Sequence, residues 1–218
     1  ITAAEVQQIT QIAQSVYGLD TGSFSGVPPV EDDKILVNLD WNINDNHRAR
    51  LTYINTDGAS ISEQNGNNFV QGADVAYPSS WYNRSEVVES WIAHVYSDWT
   101  PNFSTEFKYS TTTQATGQDS LLGAETPQIS IGGLGTSGSS VIAFGPDRFR
   151  HGNSLDQEFT QYKALATYIY GDHAFQFGFE REEVDVNNLF AQNSEGTYAF
   201  DSIADFQNNV PSGLTYNN

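Results

Sequence analysis

"SWIAHVYSDWTPNFSTEFKYS", residues 90–110, holds two aromatic-rich runs joined by Thr100-Pro101-Asn102. In the first run Trp91, Ala93, Val95 and Trp99 share odd positions. In the second, Phe103, Phe107 and Tyr109 continue that parity while Ser104, Glu106, Lys108 and Ser110 are polar. Successive side chains of a strand point to opposite sides, so the stretch reads as a hairpin with one apolar and one polar face. The fold turns on which face meets water. A soluble sandwich hides the apolar face against a second sheet, whereas a membrane barrel gives it to lipid and keeps the polar face for a wet lumen. Val88, Ile92 and Tyr96, with Trp91, Val95 and Trp99, also make a helical stripe across 86–99. Continuity with the run after Pro101 favours a strand there.

Two more hairpins lie outward from this one. Ile35, Val37, Leu39, Trp41 and Ile43 alternate with Leu36, Asn38, Asp40, Asn42 and Asn44. A turn at Asp45-Asn46 then leads into Ala49, Leu51 and Tyr53, which alternate with Arg48, Arg50 and Thr52. Tyr162, Ala164, Ala166, Tyr168 and Tyr170 share a face, and Phe175, Phe177 and Phe179 return after Gly171-Asp172-His173. The pattern predicts six strands over 35–43, 48–55, 86–99, 103–113, 157–170 and 174–184. Residues 1–34 are expected to be loop with one short helix, capped by Thr2 and Glu5 and carrying Val6, Ile9, Ile12, Ala13 and Val16. Residues 191–218 read as loop or the start of a further strand.

Short turns thus alternate with connections of thirty residues or more, rich in Asn, Gly and Ser. Such loops are foreign to a compact soluble domain but ordinary on the outer side of an outer-membrane barrel. The aromatics agree. Trp41, Trp99, Phe103, Tyr170 and Phe175 sit near short turns on the apolar faces. Trp91 lies eight residues before Trp99, and Tyr162 eight before Tyr170. At ~3.3 Å per residue and a ~40° tilt, eight residues climb roughly 20 Å, close to the ~25 Å apolar belt between two aromatic girdles. The fold expected is all-β: an antiparallel up-and-down meander forming part of a transmembrane barrel, with long extracellular loops. Consecutive strands should pair in order. The three short turns should share one rim, and Asn65, Gly135 and Gly196 should lie at or beyond the other. Val95 should then face lipid and His94 the lumen.

Composition suits this setting. The 218 residues are 38% hydrophobic, 13% aromatic and only 17% charged, a neutral-polar, β-leaning balance. A formal charge of -18 with nine Lys and Arg argues against nucleic acid as a partner. There is no Cys, hence no disulfide framework or thiolate metal site. No run approaches the ~20 apolar residues of a membrane-spanning helix, which excludes a helical membrane protein and leaves a barrel open. The opening Ile1-Thr2-Ala3 and the lack of Met read as an internal piece of a longer chain.

Local motifs carry little chemistry. Gly133 to Gly138 fits a lone dinucleotide fingerprint, but only "SSVIAFGP" follows, too short for the helix that must hold pyrophosphate. His47, His94, His151 and His173 lack ligand spacing. Glu180, Glu182, Glu183 and Asp185 have no partner base, so no enzyme is expected. Glu31-Asp32-Asp33 could hold calcium, with a solvated loop the better reading and no cofactor expected. The sequons at Asn83 and Asn102 matter only in a eukaryotic secretory setting. Loops on a rigid scaffold are where binding concentrates. The candidate ligand-binding residues are therefore Tyr77, Trp81, Tyr82 and Arg84 in the first loop, and Arg148, Arg150 and His151 in the second.

The stretches "DDKILVNLDWNINDNHRARLTYINTDG" (32–58), "WTPNFSTEFKYS" and "HAFQFGFEREEVDVNNLFAQNSEGTYAFDSIADF" (173–206) resemble the barrel of TonB-dependent outer-membrane receptors, specifically the Oar-like group. The resemblance implies a parent barrel of about 22 strands, filled by a plug domain, in the outer membrane of a Gram-negative bacterium. It would import a bulky solute with energy passed through TonB. Neither plug nor TonB box is visible here, and six strands cannot close a barrel whose smallest form has about eight. The expected partners are outer-membrane lipid, the rest of the parent barrel and its plug, TonB through that plug, and an unknown solute. The rival reading is a soluble secreted acidic β-sandwich binding carbohydrate or another surface through its aromatics. The two differ in what covers Trp41, Leu51, Trp91 and Phe177.

Overall fold

The computed structural model describes residues 1–24, 26, 30–64, 66–69, 71–121, 123 and 125–217. In chain order it contains helix α1 (Ala3–Ile12) and strands β1 (Glu31–Asn44), β2 (His47–Ser62), β3 (Val75–Ala76), β4 (Tyr82–Thr100), β5 (Phe103–Ser120) and β6 (Gln128–Leu134). There follow β7 (Ser140–Phe144), β8 (Asn153–Tyr170), β9 (His173–Phe190), β10 (Thr197–Phe200), helix α2 (Ile203–Gln207) and β11 (Gly213–Thr215).

Six long strands form one antiparallel sheet in the order β1-β2-β4-β5-β8-β9, a meander without crossover. The sheet is open, with β1 and β9 at its edges. Residues 86–99, which also carry a helical stripe, are strand throughout. Register follows the hydrophobic parity: Ala49 lies opposite Val95, Val95 opposite Phe107, Phe107 opposite Ala164, and Ala164 opposite Phe179. A one-residue slip would exchange the two faces of every strand, so this parity fixes the pairing. The short turns are locally encoded. Asn44 Oδ1 accepts hydrogen bonds from Asn46 N and His47 N, both at 2.9 Å. Thr100 Oγ1 accepts from Asn102 N at 3.2 Å, and Gly171 takes the left-handed conformation at φ 60°.

The strands run further than the alternation predicts. β2 ends at Ser62 rather than 55, β5 at Ser120 rather than 113 and β9 at Phe190 rather than 184. β1 begins at Glu31, β4 at Tyr82 and β8 at Asn153. All of this excess lies at the end away from the short turns. There both faces carry polar residues, such as Thr111 to Gly117, so the backbone ladder continues where the apolar signal stops.

The long connections are likewise folded. β11-β10-β6-β7-β3 make a second, five-stranded sheet in which β10 pairs parallel to β6 and β3 parallel to β7. Helices α1 and α2 pack on it through a dry cluster of Ile9, Ile12, Tyr77, Ile131, Leu134, Ile142, Phe144, Phe200 and Phe206. This cap is where the core sits. Residues 191–217 supply β10, α2 and β11, and so belong to the cap rather than to the loop or further wall strand expected over 191–218. Helix α1 opens with the predicted capping box: Thr2 N donates to Glu5 Oε2 at 2.7 Å and Glu5 N to Thr2 Oγ1 at 3.3 Å. A π-helical turn, Ala13–Tyr17, carries it to Gly18. The glycine run 133–138 closes the β6–β7 hairpin, where Gly135 N donates to Glu5 Oε1 at 2.9 Å. It is a turn against a helix, with no helix following it.

Asn46, Asn102 and Asp172 therefore lie on one rim. Gly135 and Gly196 lie beyond the other, in the cap, and Asn65 falls outside the described residues. Single cysteines at Ser137 and Ser139, exposed at the hairpin tip, should be labelled by an impermeant thiol reagent on intact cells. Those at Asn46, Asn102 and Asp172 should be labelled only after the outer membrane is breached. Labelling of the short turns from outside would invert the orientation.

Candidate functional site

Pairing places one continuous apolar surface across six strands. Its lower border holds Trp41, Trp99, Phe103, Tyr168, Tyr170 and Phe175. Its upper border holds Tyr53, Trp91, Tyr109 and Tyr162, with Leu51, Ala93, Val95, Phe107, Ala164, Phe177 and Phe179 between them. Tyr53 meets Trp91 at 4.5 Å between ring centroids, and Tyr109 meets Tyr162 at 5.3 Å. The indole donors turn to polar atoms at the borders. Trp91 Nε1 donates to Glu89 Oε1 at 3.0 Å and Trp99 Nε1 to Thr105 Oγ1 at 2.9 Å. An apolar ring body with a wet polar tip is what an aromatic does at a membrane interface. Above the upper border the same face becomes polar at Glu89, Thr111, Arg181 and Glu183. All seven residues expected in the girdles lie on this surface. Tyr53, Tyr109 and Tyr168 join them, and their shared parity was the signal that could have added them.

Nothing packs on this face among the described residues. Trp41 is 66% exposed, Leu51 39%, Trp91 42% and Phe177 65%. The strands of the second sheet pair only with one another, beyond one end of the first. A sandwich core would bury these four side chains; here they form an apolar surface far too large for a soluble monomer to leave wet.

The opposite face is polar and internally bonded. Arg50 Nε donates to Asp40 Oδ1 at 2.7 Å. Ser90 and Thr112 hydroxyls lie 2.8 Å apart, Ser110 Oγ donates to Gln161 Oε1 at 3.3 Å, and Arg48 stacks over Tyr96 at 4.7 Å. His94 Nδ1 lies 3.0 Å from the Tyr96 hydroxyl. Glu180 and Glu182 lie on this face, whereas Glu183 and Asp185 lie on the other, so the four acids do not form one group. Among the described residues no three His, Cys, Asp or Glu side chains gather as a metal-holding set. Asp32 of the acidic run pairs with Lys34.

The seven loop residues proposed to meet ligand fare differently, and several need correction. Tyr77 is 1% exposed, Tyr82 7% and His151 6%. Tyr77 belongs to the cap core, where its hydroxyl donates to Val6 O at 2.7 Å and accepts from Thr10 Oγ1 at 3.2 Å. Tyr82, Arg150 and His151 build a joint between cap and wall. Arg150 Nη2 donates to the Tyr82 hydroxyl at 2.7 Å, its guanidinium stacks over that ring at 4.2 Å, and Nη1 reaches buried Asp147 at 3.3 Å. Arg148 N donates to Gln128 Oε1 at 2.9 Å and its guanidinium lies over Phe149. Aromatic and cationic loop residues suit ligands and suit tight polar joints equally well, and sequence does not separate the two. Trp81 is half-buried. Arg84 is exposed, in a cleft of about 560 Å³ lined by Lys34, Asp32, Thr56 and Glu86.

The joint contains two titrating groups outside the membrane span. Burial holds the Asp147 carboxyl above its ordinary 3.8, against the pull of Arg150. Burial holds the His151 imidazole below its ordinary 6.5, against Glu195 and Asp147, while its Nδ1 accepts from Glu195 N at 3.3 Å. Below pH ~6.5 the unfolded chain takes up the His151 proton and the folded joint resists it, so acid removes stability. Asp147 has the opposite sign: the folded state holds that proton to higher pH, so acid reaching its raised value favours folding. Hydrogen-exchange protection of β6, β7 and residues 146–152 should fall between about pH 7.5 and about pH 5.5, and fall less in His151→Gln. An identical pH profile in both proteins would remove His151 from the account.

The sequence model of the family described as "Outer membrane beta barrel domain" matches residues 3–218. No curated protein and no solved structure gives a significant match. With an exposed apolar face bordered by aromatics, a polar opposite face and an open six-stranded antiparallel meander, the chain belongs to the outer membrane beta barrel domain family and lies in the outer membrane.

Proposed function

We propose that the chain is a wall segment of a TonB-dependent receptor of the Oar-like group, whose parent barrel takes up a bulky solute with energy delivered through TonB and a plug domain. The observation that carries this is the excess length of the wall. β4 has 19 residues and β5, β8 and β9 have 18 each, where about 9–11 tilted residues cross a bilayer. At a ~40° tilt β4 rises roughly 48 Å, of which the belt takes roughly 20 Å. The rest stands outside the membrane and carries a folded cap with its own core. Such an outer vestibule suits capture of a large, scarce solute better than free diffusion of small ones. The resemblance of residues 32–58 and 173–206 to receptor barrels points the same way. Outer-membrane lipid, plug and TonB are then the partners.

The full-length polypeptide extracted from outer membranes should have an intact mass many times the 24.0 kDa of this chain and should retain a purified TonB C-terminal domain. A mass near 24.0 kDa, or no retention of the TonB domain, would overturn the receptor reading and leave the barrel.

A further inference from the structure

The scarce positive charge of this chain is concentrated on the inner face. Lys34, Arg48, Arg50, Arg84, Lys108 and Lys163, six of the nine Lys and Arg, share that parity. Four basic side chains fall in one transverse row, because Arg50 pairs with His94, His94 with Lys108 and Lys108 with Lys163. Asp40 on β1 and Glu180 on β9 continue the row at its two ends. On β4 the row lies at the depth of Ala93 and Val95, midway between the two aromatic borders, and strand tilt carries its ends toward those borders.

Neighbouring strands lie ~4.8 Å apart, and like charges directly opposite one another are destabilising. Local carboxylates answer only part of this. Arg50 has Asp40, and Lys163 has Glu106 at 3.6 Å. Lys108 has no ion-pair or hydrogen-bond partner among the described residues, and the buried His94 Nε2 has none either. Arg48, one row below, is held by the Tyr96 ring and, among the described residues, by no carboxylate. A net charge of -18 therefore averages over two unlike regions. The chain repels polyanions at large while its inner wall presents cations in register.

We propose that the row Arg50, His94, Lys108 and Lys163 binds carboxylate- or phosphate-type anions inside the barrel. Rings of Lys and Arg are how pores select anions, and a wet lumen bounded by low dielectric strengthens the attraction. Two sources share this chemistry: a free anionic solute entering the lumen, or carboxylate side chains from elsewhere in the parent polypeptide. The inference needs only the barrel, so energised uptake can fail without touching it.

Limited acetylation of the full-length protein in outer-membrane vesicles, read by mass spectrometry at Lys108 and Lys163 with exposed Lys34 as internal reference, tests it. Citrate is the probe. If free anions are the occupant, citrate slows both lysines about tenfold relative to Lys34, the size of a charge-assisted contact, and Lys108→Gln weakens the protection of Lys163. If the parent's carboxylates are the occupant, Lys108, which has no carboxylate of its own among the described residues, reacts slowly without citrate and is released at about 1 M salt, where the screening length is ~3 Å. Lys163 does not decide this arm, since Glu106 already pairs with it. Reaction of Lys108 at the Lys34 rate with and without citrate, or slow reaction of Lys108 indifferent to salt, would overturn the proposal.

Discussion

Val95→Arg should nearly abolish assembly of the parent protein into the outer membrane, while Leu165→Arg leaves most of it intact. Val95 lies midway between Trp91 and Trp99 on the apolar face of β4, 38% exposed, with Ala49 and Phe107 on either side. An Arg there must stand in hydrocarbon near mid-depth, at a cost of about 2–4 kcal/mol. Leu165 is equally apolar but has inner-face parity and lies directly opposite Glu106. An Arg at 165 remains on the polar face and can share the Glu106 carboxylate with Lys163, so the comparison isolates which face is lipid from mere loss of a hydrophobic side chain. His94→Arg should fall between them, since it adds a third strong cation between Arg50 and Lys108, and its defect should shrink with salt as a screened repulsion does. Heat-modifiable migration of the membrane-extracted protein measures all three. Equal defects at 95 and 165 would refute the assignment of faces.

That contrast was legible in the sequence because the belt forces period two. Between Trp91 and Trp99, or Tyr162 and Tyr170, one face must be apolar and the other wet, and the alternation shows it residue by residue. Beyond the girdles the constraint lapses. Thr111 to Gly117 and Asp57 to Ser60 carry polar or small residues on both faces, so their strands show no alternation, and backbone pairing keeps them extended. The cap was illegible for a different reason. Its strands are two to seven residues long, and they pair across great separations: Thr197 with Gln128 and Val75 with Ile142. Short apolar runs such as "QISIG" and "SVIAF" have no local partner to reveal them. Once those runs condense, residues picked for ligand chemistry are drawn inside, as Tyr77 and His151 were. The cationic row was hidden in plain view. Arg50, His94, Lys108 and Lys163 are far apart in sequence, and only the register aligns them.

Phe206→Ala should unfold the cap without dislodging the wall. Phe206 is fully buried and is the hub of the cap's aromatic cluster. Tyr17 stacks on it at 4.8 Å, and Phe200 and Phe144 meet it edge-on at 5.2 and 5.7 Å. The Tyr17 hydroxyl also donates to its backbone carbonyl, fastening the π-helical turn after α1 to α2. Helix α2 has only five residues, held at its start by Ser202, whose Oγ accepts from Asp205 N at 3.1 Å. So short a helix has little stability of its own and depends on this packing. Removing the ring should cost about 3–5 kcal/mol by lost burial and the cavity left behind. That is a large share of what a unit of the cap's size can hold in reserve. None of the lipid-facing residues touches Phe206, so the belt should insert as before. Protease added to intact cells should then cut within residues 121–152 and 191–217 of the variant but not of the wild type, while both migrate as folded barrels until heated. Val16→Ala, an exposed position next to Tyr17 in the π-helical turn, should change neither readout. If Phe206→Ala instead reduced membrane assembly as far as Val95→Arg does, cap and wall would be one cooperative unit, and the cap would be part of how the barrel is built rather than a domain carried on its rim.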